Sequence, residues 1–139
     1  MSDGEDRQVT GKRKTIVMPC SGIGKVHGLI AREAAYAVTG ESTEHETLCL
    51  ALLVSGDEEA QAKIRQADCI AIDGCPKLCA AKNVEMAGGR VVRSIRVVDE
   101  FKNHRGAEPG TATALADDGW TIVGAIAGGI CAQREGEVE

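Results

Sequence analysis

The stretch Cys69–Cys79, CIAIDGCPKLC, decides how the rest of the chain is interpreted. Its first five residues form a short apolar run that predicts a buried strand, and Gly-Cys-Pro follows as a turn. Pro76 suits the first turn of a helix, because its missing N–H costs nothing there, and Gly88-Gly89 is a signal for the helix end. The stretch therefore predicts a strand over 69–73 and a helix from Pro76 to Ala87.

The same alternation of short apolar runs and helical patterns extends in both directions. Upstream, we predict a strand over Thr15–Cys20, a helix over Gly28–Thr39 that stops at Gly40, a second strand within Glu46–Val54, and a polar helix over Asp57–Ala67 with Ser55 or Asp57 as its N-cap. Downstream, we predict a fourth strand over Arg93–Val98 and helices over Thr111–Ala116 and Ile122–Ala132. The second strand either fills its apolar run or ends near Cys49, with a helical turn after it.

Alternating strands and helices with short turns are typical of an α/β fold: a mainly parallel sheet of about four strands with helices on both faces, Rossmann- or flavodoxin-like. The 139 residues suffice for one such domain and are too few for two. We expect a flexible leader over 1–13, a single α/β metal-binding domain over 14–132 and an acidic tail over 133–139. Ligands of such folds bind at the carboxyl ends of the strands, where the strand order reverses.

The composition of the chain excludes some classes of function and favours others. A net charge of −5 and 2% aromatic residues argue against nucleic acid as a partner, whether held by its phosphates or by base stacking. The chain offers neither a membrane span nor the apolar segment of a signal peptide. We therefore expect a cytoplasmic protein, in which six cysteines indicate metal binding or redox chemistry rather than structural disulfides.

Three cysteines fall where the predicted fold would bind a ligand. Cys20 ends the first strand, Cys75 follows the third, and Cys79 lies one turn further along the predicted helix. Side chains four apart on a helix have Cβ atoms roughly 5–6 Å apart, which suits two thiolates on one zinc ion. The first turn of a helix also favours thiolate over thiol. The pattern predicts a thiolate metal site, with zinc as the metal.

The remaining cysteines are interpreted differently. Cys49 reaches the site if the second strand ends near it, but lies about 16 Å short of the edge, at ~3.3 Å per residue, if that strand continues to Val54. Cys69 begins the third strand and belongs near the opposite edge of the sheet, so we interpret it as core filling. The same interpretation is favoured for Cys131.

The sequence combines three features: Pro19-Cys-Ser-Gly22, a single cysteine after the second strand, and Ile72-Asp-Gly-Cys-Pro76 followed by Cys79. This combination resembles the DGC-domain family. Its members are small prokaryotic proteins described as zinc-binding and named for the Asp-Gly-Cys triplet. The resemblance covers Thr15–Gly89 and fades beyond Val98. It implies metal thiolates at Cys20, Cys49, Cys75 and Cys79, and hence the shorter second strand. It implies no particular activity.

Other signals are weaker. Gly22, Gly24 and Gly28 follow a strand as in a dinucleotide loop, but the spacing differs and the second strand ends without an acidic residue, so a turn close to a ligand is favoured. A phosphatase-type loop would need an arginine where Val26 stands. His27 is interpreted as a surface residue at a helix start, or else as an outer partner or substitute fourth ligand of the metal. His45, His104 and Asp73 fall outside the ligand set; Asp73 is expected to cap a helix or support a ligand.

We expect a closed four-thiolate zinc site with a structural, sensory or metal-handling role, in which a protein partner is possible. One alternative is a thiol-redox protein or one holding an iron–sulfur cluster. Another is a zinc enzyme with an open coordination position, which we favour less because the sequence shows no clear general base.

Overall fold

The computed structural model of the chain describes residues 14–20, 24–74 and 77–136, with side chains as far as residue 132. In chain order the elements are β1 Thr15–Pro19, α1 Val26–Glu41, β2 His45–Thr47, α2 Leu50–Val54, α3 Glu58–Arg65, β3 Asp68–Asp73, α4 Cys79–Met86, β4 Arg90–Arg96, α5 Val97–Glu100, a 3-10 turn Phe101–Asn103, and α6 Asp117–Gly136. The four strands form one sheet of order β2-β1-β3-β4, in which every neighbouring pair is parallel. The predicted α/β fold is confirmed.

Each face of the sheet carries its own core, because side chains of a strand alternate between the two faces. On one face Val17 packs with α1, α5 and α6; on the other, Ile16 and Met18 pack with α2, α3 and α4. All three of these β1 side chains are at most 1% exposed, so β1 is a central strand buried on both sides. Helices on both faces are confirmed. None of the described helices is both long and apolar enough to cross a membrane.

The second strand takes the shorter of its two predicted forms. β2 ends at Thr47, whose hydroxyl donates to the carbonyl of Val17 at 2.8 Å and so fastens the strand end to β1. Cys49 is the N-cap residue of α2, and its carbonyl accepts the N–H groups of Leu52 and Leu53 at 3.1 and 3.3 Å. Cys49 therefore lies just past the carboxyl end of β2.

The predicted start of α4 is wrong. The helix begins at Cys79 and not at Pro76, and Leu78 before it has a left-handed backbone with φ 58° and ψ 47°. A left-handed residue interrupts a right-handed helix, so the spacing argument, which needed one continuous helix from Pro76 through Cys79, does not hold. Pro76 permits a helix start without requiring one. Cys75 and Pro76 themselves lie outside the described residues.

Three further boundaries differ. Gly40 lies inside α1, which runs on to Glu41, and β4 begins at Arg90 and gives way to α5 at Val97. The segment 111–116 is not a helix. There the Thr111 hydroxyl accepts the N–H of Ala114, and such side-chain bonds compete with helical ones. The last helix is confirmed and is longer than predicted.

Candidate metal centre

The connections of the sheet reverse direction between β1 and β3. After β1 the chain passes through α1, on one face, to β2; after β3 it passes through α4, on the opposite face, to β4. The chain thus leaves two neighbouring parallel strands in opposite directions, and at such a switch point the carboxyl ends of an α/β sheet bind ligands.

Cys20 lies at this switch point, where its backbone N–H and its sulfur each form a hydrogen bond. Its N–H donates to the carbonyl of Ile72 at 2.9 Å, which extends the pairing of β1 with β3 by one residue. Its half-buried Sγ accepts the N–H of Gly74 at 3.1 Å. An N–H donor of this kind compensates negative charge on a metal-bound sulfur. Both bonds tie Cys20 to the end of β3.

Gly74, the middle residue of the Asp-Gly-Cys triplet, is pressed against the start of α1. A Cβ at this position would lie 3.0 Å from the carbonyl carbon of His27 and 3.1 Å from the nitrogen of Gly28. Both of those atoms belong to helix backbone, which cannot move aside as the tip of a side chain can. Glycine at position 74 is thus what allows its N–H to reach Cys20.

Asp73, the first residue of the triplet, is 1% exposed and binds the beginning of α4. Its two carboxylate oxygens accept the N–H groups of Ala80 and Ala81 at 2.7 and 3.3 Å. Burial raises the pKa of Asp73, while these backbone hydrogen bonds and the charge of Lys82 oppose the rise. The predicted capping of a helix start is confirmed, although the N-cap position itself is occupied by Leu78.

The described ligand candidates all lie at element ends near the carboxyl edge of the sheet. Cys20 follows β1, Cys49 precedes α2, and Cys79 is the first residue of α4; the latter two are exposed. Helices α2 and α4 pack against each other on one face. Across residues 14–20, 24–74 and 77–132, no three Cys, His, Asp or Glu side chains are grouped closely enough to hold a metal ion, and Cys20, Cys49 and Cys79 therefore form no such group. The fourth candidate, Cys75, lies outside these ranges.

The two cysteines assigned to the core are found there. Cys69 is fully buried near the amino-terminal edge of the sheet, paired in register with Ile16, and its Sγ lies 3.9 Å from the carbonyl oxygen of Ile64. Cys131, on α6, is half-buried and packs against the core shared with α1. Both interpretations are confirmed.

The histidines are more buried than predicted. The half-buried ring of His27 lies 4.8 Å from that of Phe101, centroid to centroid, and its Nδ1 finds no hydrogen-bond partner among the described residues. Burial, and then the charge of Lys25, lower the pKa of His27. His45 is not a loop residue: it opens β2 and is 4% exposed, with Nδ1 2.7 Å from the hydroxyl of Ser42.

His104 follows the 3-10 turn and lies 3.0 Å from a carboxylate oxygen of Glu100. It also borders a shallow cavity of about 240 Å³ together with Arg105 and Asp118. The i,i+4 spacing of Glu100 and His104 could have indicated the pair from the sequence. The cavity could not be foreseen, because it depends on how the turn after α5 packs.

Comparison with known proteins gives a match to a family model that covers the Asp-Gly-Cys triplet. No curated protein and no solved structure matches the chain. The model of the DGC domain matches residues 16–117, well over half of the chain. The match continues past Val98, where the resemblance was expected to fade, and takes in α5 and the segment before α6. The chain belongs to the DGC-domain family.

Proposed function

We propose that the protein binds one zinc ion through the thiolates of Cys20, Cys49, Cys75 and Cys79 at the carboxyl edge of its sheet. The observation that carries the proposal is the 3.1 Å hydrogen bond from the Gly74 N–H to the Cys20 sulfur, at the switch point of the fold. This bond joins the ends of the two strands that precede three of the four proposed ligands.

The donor set favours zinc over harder metals. Thiolate ligands select zinc, copper(I) or iron–sulfur clusters, whereas magnesium and calcium prefer oxygen. Four thiolates on a doubly charged zinc leave a local charge of about −2, which nearby N–H groups and cations must offset. The Gly74 N–H supplies one such group, and Lys25 and Lys77 are exposed cations close in sequence to Cys20 and Cys79.

A site closed by four thiolates gives the metal a structural, sensory or metal-handling role, because no coordination position is left for a substrate. The ligands must stay reduced, which fits a cytoplasmic location. The resemblance to the DGC-domain family implies a prokaryotic source. A metal-stiffened edge could then present α2 and α4 to a protein partner.

The proposal is tested by elemental analysis of protein purified without chelator or metal-affinity resin. We expect one zinc per chain, lost in Cys20→Ser, Cys49→Ser, Cys75→Ser and Cys79→Ser. The matched controls are Cys69→Ala and Cys131→Ala, which should keep the metal because both residues lie in the cores. Iron with visible absorption would favour a cluster instead, and metal-free protein with reactive thiols would favour redox chemistry.

One observation favours a second candidate, a zinc enzyme with an open coordination position. The backbone of His27 lies so close to residue 74 that a Cβ there would stand 3.0 Å from the His27 carbonyl carbon, and the His27 Nδ1 is buried without a partner among the described residues. A buried imidazole nitrogen of this kind could receive a proton from a zinc-bound water or bind the metal itself. X-ray absorption at the zinc edge separates the two: four sulfurs support the closed site, and three sulfurs with one lighter atom support the open one.

A further inference from the structure

Helix α4 is not capped by its own N-cap residue. Side-chain capping at a helix start normally comes from a Ser, Thr, Asp or Asn at the N-cap position. Here that position is Leu78, which has no polar side chain and a left-handed backbone that is unfavourable for any residue except glycine. What holds the helix start in place must therefore come from elsewhere in the fold.

It comes from the end of β3. The Asp73 carboxylate reaches the N–H groups of Ala80 and Ala81, seven and eight residues ahead. At 1% exposure it is shielded from water, which strengthens these bonds. The first turn of α4 is thus tied directly to a central strand of the sheet rather than to the residues just before it.

The peptide that links Asp73 to Gly74 forms a hydrogen bond toward β1 instead of toward α4. The N–H of Gly74, in the Asp73–Gly74 peptide, donates to the sulfur of Cys20 at 3.1 Å. One dipeptide thus fastens both the helix that begins with Cys79 and the sulfur at the end of β1.

We propose that Asp73 is a positioning residue of the zinc site: without touching the metal, it fixes Cys79 relative to Cys20. This inference rests on the proposed function. Without the Asp73 carboxylate the start of α4 is less fixed. Zinc binding must then also order Cys79, and the free energy this costs lowers the affinity for the metal. Residues that orient metal ligands from outside the coordination sphere typically change affinity by about 10- to 100-fold.

The competing explanation is that Asp73 is an ordinary helix cap with no influence on the metal. The chain offers a matched control in Asp57, the N-cap of α3, whose Oδ2 accepts the N–H of Ala60 at 2.9 Å. Helix α3 packs on the same face of the sheet as α4 and contains no cysteine. Removing either carboxylate weakens a helix start, but only one of the two helices carries a proposed ligand.

The experiment measures zinc affinity by competition with a chromophoric chelator for wild type, Asp73→Ala, Asp73→Asn and Asp57→Ala. We expect Asp73→Ala to weaken binding by about 10- to 100-fold and Asp57→Ala to bind as wild type does, although both lower the thermal midpoint. Asp73→Asn keeps one acceptor oxygen, so it should fold and show a smaller loss even if the alanine variant does not fold.

Equal affinity in wild type and both Asp73 variants overturns the inference and leaves the zinc proposal standing. An equal loss in Asp57→Ala also overturns it, because affinity would then follow general stability. Wild type that takes up no zinc overturns the proposed function itself, and this inference with it.

Discussion

The amide N–H of Gly74 points at the sulfur of Cys20 across the junction of β1 and β3, at 3.1 Å. The strand pairing ends with Pro19 opposite Ile72, and the next hydrogen bond, from the Cys20 N–H to Ile72, is at 2.9 Å. The thiol is therefore held by an extension of the sheet and not by a flexible loop.

We expect Gly74→Ala to destabilise the protein by about 1–3 kcal/mol, the usual cost of overpacking. The added methyl would lie 3.0 Å from the His27 carbonyl carbon, so the start of α1 must shift. The matched control is Gly40→Ala: Gly40 lies inside α1 with nothing within 4 Å of a Cβ, so alanine should stabilise by about 0.5–1 kcal/mol. Urea denaturation measures both, and a Gly74 variant as stable as wild type would contradict the packing argument.

We expect substitutions of buried cysteines to affect stability and substitutions of the proposed ligands to affect metal binding. Cys69→Ala removes a fully buried sulfur and should lower the free energy of unfolding by about 1–2 kcal/mol while leaving metal content unchanged. Cys79→Ser alters an exposed side chain and should hardly affect the metal-free protein, yet abolish zinc binding. Denaturation of metal-free protein and metal analysis of the same preparations check the pair. Loss of metal in Cys69→Ala would mean that the site lies elsewhere.

The sequence predicts β1, β3 and the two-faced core well because these follow from local apolar runs. It fails where side-chain hydrogen bonds or strand pairing decide the local structure. The start of α4 is set by the Asp73 carboxylate rather than by Pro76, and the burial of His45 depends on Ser42 and on pairing with β1. The segment 111–116 departs from a helix because hydroxyl groups bind the backbone locally. The positions of Cys20 and Cys69 were predictable, since they depend on where β1 ends and β3 begins.

Stability should fall on acidification because of His45. Burial lowers the pKa of His45 below its usual value of 6.5, so between these two values the unfolded chain binds more protons than the folded one. The free energy of unfolding therefore rises with pH across that window, and the contribution of His45 to it is lost as the pH falls. Urea denaturation between pH 7.5 and 5 should show a steeper loss for wild type than for His45→Gln.

Some pH dependence should remain in His45→Gln, because burial and Lys25 also lower the pKa of His27 and act with the same sign. A double variant that adds His27→Gln should be flatter still. Identical slopes in wild type and both variants would show that neither imidazole is buried in its neutral form.

Removal of zinc gives the final prediction, which separates a structural metal from a catalytic one. Zinc that binds the folded chain stabilises it by RT ln(1 + [Zn]/Kd), about 2.7 kcal/mol at 100 times Kd, provided that the unfolded chain does not bind. For a closed site we expect the thermal midpoint to rise with free zinc in wild type and to stay constant in Cys79→Ser. Chelation should then lower the protection of α4 amides from hydrogen exchange, because Cys79 begins that helix. An unchanged midpoint and unchanged α4 protection, in protein shown to bind zinc, would contradict a structural role and favour the open site beside His27.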